Sequence, residues 1–186
     1  MRVLFLDIDG VLNSTKTFIA TGRYPFTLDE PEGFDWIAIK LLQRLCDSSG
    51  IQIVLSSTWR MHYSPKEVGD FLGLPIIDKT PVHFENWNEE MTIADFCTRA
   101  TRGKEIVAWL ADHPEVQHYC IIDDDSDMLE SQLPVFVKTD GAEGMTWKDF
   151  CKVCEILGES PFAGEARDRL WLKRLETQAN PGGWMV

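Results

Sequence analysis

The sequence predicts an α/β fold built around an open, parallel β-sheet. Short apolar runs typical of buried strands alternate with segments whose apolar residues recur at helical spacing, and this order is typical of βαβ units. The chain has 186 residues, which suits one domain with one sizeable core. Its hydrophobic content of 44% is ordinary for a globular protein and argues against a disordered chain.

Four buried strands are predicted from apolar runs of four or five residues. They lie at residues 2–6, 51–55, 118–122 and 135–138. The first and third end in aspartates, and the second ends in hydroxyl side chains. In open α/β sheets ligands bind beyond the carboxyl ends of the strands, so we expect the functional site there.

Helices are predicted between these strands from apolar periodicity and end signals. They cover residues 34–46, 64–73, 103–112, a short piece at 126–131, and 146–157. Thr146 and Asp149 resemble a capping box at the start of the last one. Two segments lack a clear period: a polar flap at about 13–33, and an irregular excursion at about 60–100 with two short extended pieces and a helix near 92–100. We expect one domain over residues 1–160 and a helical tail over 161–186, with its helix at about 163–178.

The charge balance restricts the classes of partner. There are 18 Lys and Arg against 30 Asp and Glu, a formal net charge of −12, so no extensive nucleic-acid surface is expected. No apolar run approaches the roughly 20 residues of a membrane-spanning helix, and no signal-peptide pattern is visible. The five cysteines are scattered and odd in number, unlike a disulfide framework. We therefore expect no membrane partner and a cytoplasmic location.

The first polar cluster is Asp7-Ile8-Asp9-Gly10, directly after the first strand. Side chains alternate along an extended chain, so Asp7 and Asp9 can lean to the same side. Two such close carboxylates repel each other unless a cation lies between them or one takes a proton. The pair predicts a hard-cation site combined with an acid/base pair, and the alternative is two solvated acids before a turn.

A second cluster, Asp123-Asp124-Asp125-Ser126-Asp127, follows the third strand. Four carboxylates within five positions are unfavourable without counterions. One of these acids is expected to cap the short helix predicted at 126–131, but capping does not explain all four.

Hydroxyl and basic side chains supply candidate anion ligands. Ser56 and Ser57 end the second strand, and hydroxyls and backbone N–H groups at such a turn can hold an anion. Arg60 either binds a phosphate or covers apolar surface with its stem. Lys104 lies at a helix start, where a cation is unfavourable, and it either neutralises nearby acids or is simply solvated.

Taken in order, these clusters resemble the motifs of the haloacid dehalogenase superfamily. The matching phrases are LFLDIDGVLN, IVLSSTW, RGKEI and CIIDDDSD, and they span residues 4–127. DIDGVLN, SSTWR and IDDDSDM are together similar to the domain of this type in bacterial and phage Swiss Army Knife RNA-repair proteins. The resemblance implies a Rossmann-like three-layer sandwich running to about residue 158. The segments between the motifs leave room for a minimal cap domain or none.

The same resemblance implies a hydrolase, namely a Mg²⁺-dependent phosphatase, with roles assigned by matching position. Asp7 would be the nucleophile that forms an aspartyl-phosphate, and Asp9 would protonate the leaving oxygen and then activate water. Lys104, or alternatively Arg102, would neutralise the charge on Asp7 and phosphate. Ser56, Ser57 and Arg60 are the candidate phosphate ligands. Mg²⁺ would be held by Asp7, the Asp9 carbonyl and either Asp123 or Asp124, with Asp127 as a secondary candidate.

The substrate class follows from the leaving group and from the openness of the site. Asp9 favours ester hydrolysis over dehalogenation, because an alkoxide leaving group needs a proton and a halide does not. A site without a cap suggests a bulky phosphorylated substrate: a nucleotide, a nucleic-acid end or a phosphoprotein. Candidates for stacking on a base are Trp59, Tyr63, His83, Phe84 and Trp87. The competing hypothesis is a non-catalytic or phospho-accepting Mg²⁺-binding signalling module.

Overall fold

The computed structural model describes residues 1–82 and 102–162, and there it confirms the predicted α/β fold. Five parallel strands in these ranges form one sheet in the order β3-β2-β1-β4-β5. The strands are β1 (Arg2–Leu6), β2 (Gln52–Leu55), β3 (Ile76–Lys79), β4 (His118–Asp123) and β5 (Phe136–Lys138). The four predicted strands are present, and β3 lies in the segment expected to be irregular.

Five α-helices lie in the described ranges. They are α1 (Thr15–Thr21), α2 (Trp36–Ser49), α3 (Pro65–Leu72), α4 (Arg102–Asp112) and α5 (Trp147–Ile156). Helices α2 to α5 confirm the predictions from apolar periodicity. The predicted capping box of Thr146 and Asp149 is also present, at the start of α5.

Two short elements differ from the sequence-based expectation. Helix α1 lies inside the flap, where a capping box between Ser14 and Thr17 starts it although none of its residues is buried. The prediction of a short helix at 126–131 is wrong, because the chain instead makes a 3₁₀ turn at Glu130–Val135. Two further 3₁₀ turns are present: Pro31–Gly33 ends the flap, and Thr58–Met61 follows β2.

The sheet is covered on both faces, which makes the three layers of the sandwich. Side chains alternate along β1, so Leu4 and Leu6 join the larger core and Val3 and Phe5 join a smaller one. The larger core includes buried residues of α2, α3 and α5. The smaller core contains Trp109 of α4, whose ring meets Phe5 edge-on at a centroid distance of 5.4 Å.

Some predictions fall outside what the structure describes. The helices expected near 92–100 and at 163–178 lie outside residues 1–82 and 102–162. The domain boundary at residue 160 stays a prediction. Within the described ranges, no helix has both the length and the apolar character needed to cross a membrane.

Helix α2 offers a matched test of the core, because it carries two isoleucines in opposite environments. Ile39 is 0% exposed and Ile37 is 77% exposed. We expect Ile39→Ala to lower the free energy of unfolding by about 2–5 kcal/mol, since it leaves a cavity. Ile37→Ala should change it by less than about 0.5 kcal/mol. Urea denaturation measures both, and equal losses would contradict the assignment of the buried face.

Candidate active site

The predicted site residues lie at the ends of neighbouring strands, at the carboxyl edge of the sheet. Asp7 N donates a hydrogen bond to Ile122 O at 3.1 Å, and Ser56 N donates to Leu6 O at 2.8 Å. These bonds extend the pairing of β1 with its two neighbours by one residue. Asp123 is the last residue of β4, so the three strand-end clusters meet at one place as the sequence predicts.

The turn after β1 brings a further carboxylate toward this edge. Gly10 has a φ of +70°, and its N–H donates to Asn13 Oδ1 at 3.0 Å. A Cβ at Gly10 would lie 2.2 Å from Asp124 Oδ2, and one at Gly141 would lie 2.5 Å from the same atom. The Asp124 carboxylate thus lies against two backbone positions that have room for it only because they carry no side chain.

Three carboxylates form a candidate cation site. One oxygen each from Asp7, Asp123 and Asp124 lie within 4.8 Å of one another. Asp7 is 5% exposed and Asp123 is 1% exposed. Burial, the largest cause, raises the pKa of Asp7 to about 7 and that of Asp123 to about 8.

The donor set fits a divalent hard cation. The oxygens are carboxylates, the ligands that Mg²⁺ and Ca²⁺ prefer. Asp123 Oδ2 is buried and accepts no hydrogen bond in the described part of the chain, although the Arg102 guanidinium is ion-paired with it at 3.3 Å. Both Asp123 and Asp124, between which the sequence left the choice open, contribute an oxygen to the group.

The side chain of Asp9 is not among these three carboxylates. Its Oδ1 accepts hydrogen bonds from Asn13 Nδ2 at 2.8 Å and from Tyr24 Oη at 3.3 Å. Its Oδ2 accepts one from Trp59 Nε1 at 3.0 Å. Three donors therefore orient a partly exposed carboxylate, as a positioned acid/base group requires. The role of the Asp9 carbonyl as a metal ligand stays a prediction.

These partners of Asp9 were not predicted from the sequence. Tyr24 lies in the polar flap and shows no periodic or motif signal. Trp59 was expected as a stacking surface for a base, but it is buried, donates to Asp9 and packs edge-on against Phe34. His83, Phe84 and Trp87 lie outside the described residues.

Arg102 lies against two acids of the candidate cation site. Its Nε is 3.3 Å from Asp123 Oδ2, and its Nη2 is 4.0 Å from Asp7 Oδ1. Burial opposes the charged guanidinium, but Asp7, Asp123 and other acids together raise the pKa of Arg102 above its usual value. Lys104 is exposed on the surface of α4. The geometry favours the second of our two candidates.

Arg60 is buried in an ion pair that was not predicted. Its Nη2 donates to Glu105 Oε2 at 2.7 Å, and its Nη1 donates to Ser57 O at 2.7 Å. Both side chains are almost inaccessible to solvent. This placement favours a structural role for Arg60, holding the loop after β2, over the predicted contact with phosphate.

The two serines after β2 have different surroundings. A hydrogen bond from Ser57 works to lower the pKa of Asp7, against the larger effect of burial. Ser56 is buried, and its Oγ has no hydrogen-bond partner in the described part of the chain. A buried hydroxyl in that condition is unfavourable unless a ligand atom meets it, which fits the predicted contact with a phosphoryl oxygen.

Asp127 serves a helix other than the one expected. Its Oδ2 accepts from Arg102 N at 2.7 Å, and its carbonyl accepts from Gly103 N at 3.3 Å. The acid thus satisfies the first N–H groups of α4, whose N-terminus favours a negative charge. Asp127 is not among the three carboxylates of the candidate cation site. The expectation that one acid of this run caps a helix at 126–131 is therefore wrong, because Asp127 contacts the start of α4 instead.

Comparison with known proteins identifies a family for this chain. A search of curated proteins found no match. The family model described as the HAD domain in Swiss Army Knife RNA repair proteins matches residues 3–150, which is most of the chain and contains every residue of the site. The protein therefore belongs to the haloacid dehalogenase (HAD) family, with the type of domain found in those RNA repair proteins.

Proposed function

We propose that this protein is a Mg²⁺-dependent phosphomonoesterase in which Asp7 forms an aspartyl-phosphate. The observation that carries the proposal is the meeting of three carboxylates, those of Asp7, Asp123 and Asp124, within 4.8 Å. Arg102 lies beside two of them. Membership of the HAD family supports hydrolase chemistry at these residues.

The three carboxylates are the residues that would hold Mg²⁺. When bound there, the ion would offset their mutual repulsion and polarise a phosphoryl oxygen. Arg102 would supply a fixed positive charge to the same region. The Ser56 hydroxyl would donate to a phosphoryl oxygen, which gives its buried Oγ a partner.

The covalent steps fall to the two aspartates after β1. A carboxylate oxygen of Asp7 attacks phosphorus, and the bond between phosphorus and the ester oxygen breaks. Asp9, in its protonated form, gives its proton to that leaving oxygen. Asp9 then takes a proton from water, which attacks the aspartyl-phosphate at phosphorus. Phosphate leaves, and the free Asp7 carboxylate is restored.

The proposed substrates are phosphomonoesters with a sizeable organic group, such as a nucleotide or a nucleic-acid end. Between β1 and β2 the chain places only the flap and α2, so that insertion holds no cap domain. The net charge of −12 disfavours a long strand, which would need rows of basic side chains. A phosphoprotein remains the alternative substrate of the same chemistry.

Substitution of the nucleophile tests the reaction itself. We expect Asp7→Asn to lower Mg²⁺-dependent hydrolysis of p-nitrophenyl phosphate by at least about 1,000-fold, because an amide cannot form the acyl phosphate. Asp29→Asn, an exposed acid of the flap, is the matched control and should keep full activity. Turnover that survives in Asp7→Asn would exclude the mechanism. Stoichiometric phosphorylation of the wild type without turnover would instead indicate a phospho-accepting module.

The neutralising cation can be identified by comparing two residues of α4. We expect Arg102→Ala to lower kcat/KM by about 100-fold, since it removes a charge preorganised beside Asp7. Lys104→Ala should stay within about twofold of wild type. Arg102→Lys, which restores the charge without the planar fork, should recover part of the loss. The reverse order of effects would restore Lys104 to the role first predicted.

Mg²⁺ should stabilise the fold as well as support turnover. A ligand at about 100 times its Kd stabilises by about 2.7 kcal/mol, which for a chain of this size raises the Tm by about 5–10 °C. We expect this shift in wild type and in Asp112→Asn, an exposed acid at the end of α4. Asp124→Asn should reduce it strongly. Differential scanning fluorimetry with and without EDTA measures it, and an unchanged shift in Asp124→Asn would place the ion elsewhere.

A further inference from the structure

The flap forms an open groove next to Asp9. The groove has a volume of about 660 Å³, and its lining includes Phe18, Arg23, Tyr24 and Phe26. That volume is within the range of pockets that bind small organic molecules, about 300–1,000 Å³. The groove is therefore large enough for one nucleoside.

Its aromatic side chains are exposed together rather than singly. Phe26 is 78% exposed and Phe18 is 42% exposed. The rings of Tyr24 and Phe26 are neighbours, with centroids 5.7 Å apart and planes tilted by 54°. Glu30 Oε2 holds this part of the flap by accepting hydrogen bonds from Phe26 N at 2.8 Å and Thr27 N at 3.2 Å. Clustered exposed apolar side chains of this kind mark binding surfaces more often than isolated ones do.

One residue of the groove, Tyr24, contacts the proposed catalytic acid Asp9. The Tyr24 hydroxyl donates to Asp9 Oδ1 at 3.3 Å. In the proposed reaction Asp9 gives its proton to the leaving oxygen. The organic group attached to that oxygen must then extend on the Asp9 side of the site, where Tyr24 and the groove begin.

We propose that this groove binds the base of a mononucleotide whose phosphate is hydrolysed at Asp7. This inference rests on the proposed function and names its substrate class. Aromatic side chains stack on the face of any nucleobase, and a guanidinium such as that of Arg23 can stack on it or bind its acceptor atoms. One nucleotide is favoured over a strand, because the named lining has a single basic side chain and the chain is strongly acidic.

The test compares two esters that differ only by the base, adenosine 5′-monophosphate and ribose 5-phosphate. We expect wild type to prefer the nucleotide by about tenfold in kcat/KM, the scale of one stacking contact. Phe26→Ala should abolish most of that preference. The control is Ile19→Ala, an equally exposed apolar residue of α1 (74%) that is not part of the groove lining, and it should retain the preference.

Binding to the Asp7→Asn variant, measured by calorimetry, makes the same comparison without turnover. We expect Asp7→Asn to bind adenosine 5′-monophosphate more tightly than ribose 5-phosphate, and the Asp7→Asn/Phe26→Ala double variant to lose this preference. That result would support the groove even if no ester is hydrolysed. Equal binding and equal turnover of the two esters would overturn the groove while leaving the phosphatase intact. Binding of a 5′-phosphorylated trinucleotide ten times tighter than the mononucleotide would also overturn it, in favour of a strand end.

Discussion

The arrangement of this site depends on one guanidinium placed among buried acids. Asp7 and Asp123 end adjacent strands, are almost fully buried and repel each other, and Arg102 lies against both. On its other side Arg102 lies 3.8 Å from Glu105, which is ion-paired with Arg60. The charges alternate in sign along this network, and Arg60 ends it on the Ser57 carbonyl. The ends of β1, β2 and β4 are thereby tied to the start of α4. Breaking one buried pair of this kind typically costs about 3–5 kcal/mol.

The network leaves an excess of negative charge at the acids, which a bound cation would offset. Asp7, Asp123 and Asp124 present more negative charge than Arg102 offsets. Burial raises the pKa of Asp7 and of Asp123, and a nearby acid raises each further: Asp9 acts on Asp7, and Asp7 acts on Asp123. Sites where local rules of stability are violated are often functional, because a ligand supplies what the fold lacks. A divalent cation is the ligand whose charge and preferred donors match this deficit.

The sequence predicted the framework because its signals are local. Apolar periodicity located α2 to α5, and polar residues after apolar runs located Asp7, Ser56 and Asp123, since parallel strands end at one edge. The sequence did not show whether Arg102 or Lys104 faces the acids, because residues two positions apart on a helix point to opposite sides. Which of the two sides faces the site depends on where the helix begins. Tyr24 and the partner of Arg60 were missed for another reason: those contacts join residues 15 and 45 positions apart with no motif between them. The helix expected at 126–131 failed because Asp127 caps α4 instead.

The Asp124 carboxylate depends on two neighbouring residues, Gly10 and Gly141, that have no side chain. Its carboxylate occupies space that a methyl group at Gly10 or Gly141 would take, with separations of only 2.2 and 2.5 Å from the oxygen. Two backbone stretches that are far apart in the sequence therefore lie against the same carboxylate oxygen. Substitution of either glycine would displace the Asp124 carboxylate before it disturbed the hydrophobic core. The candidate cation site thus depends on two residues that carry no functional group.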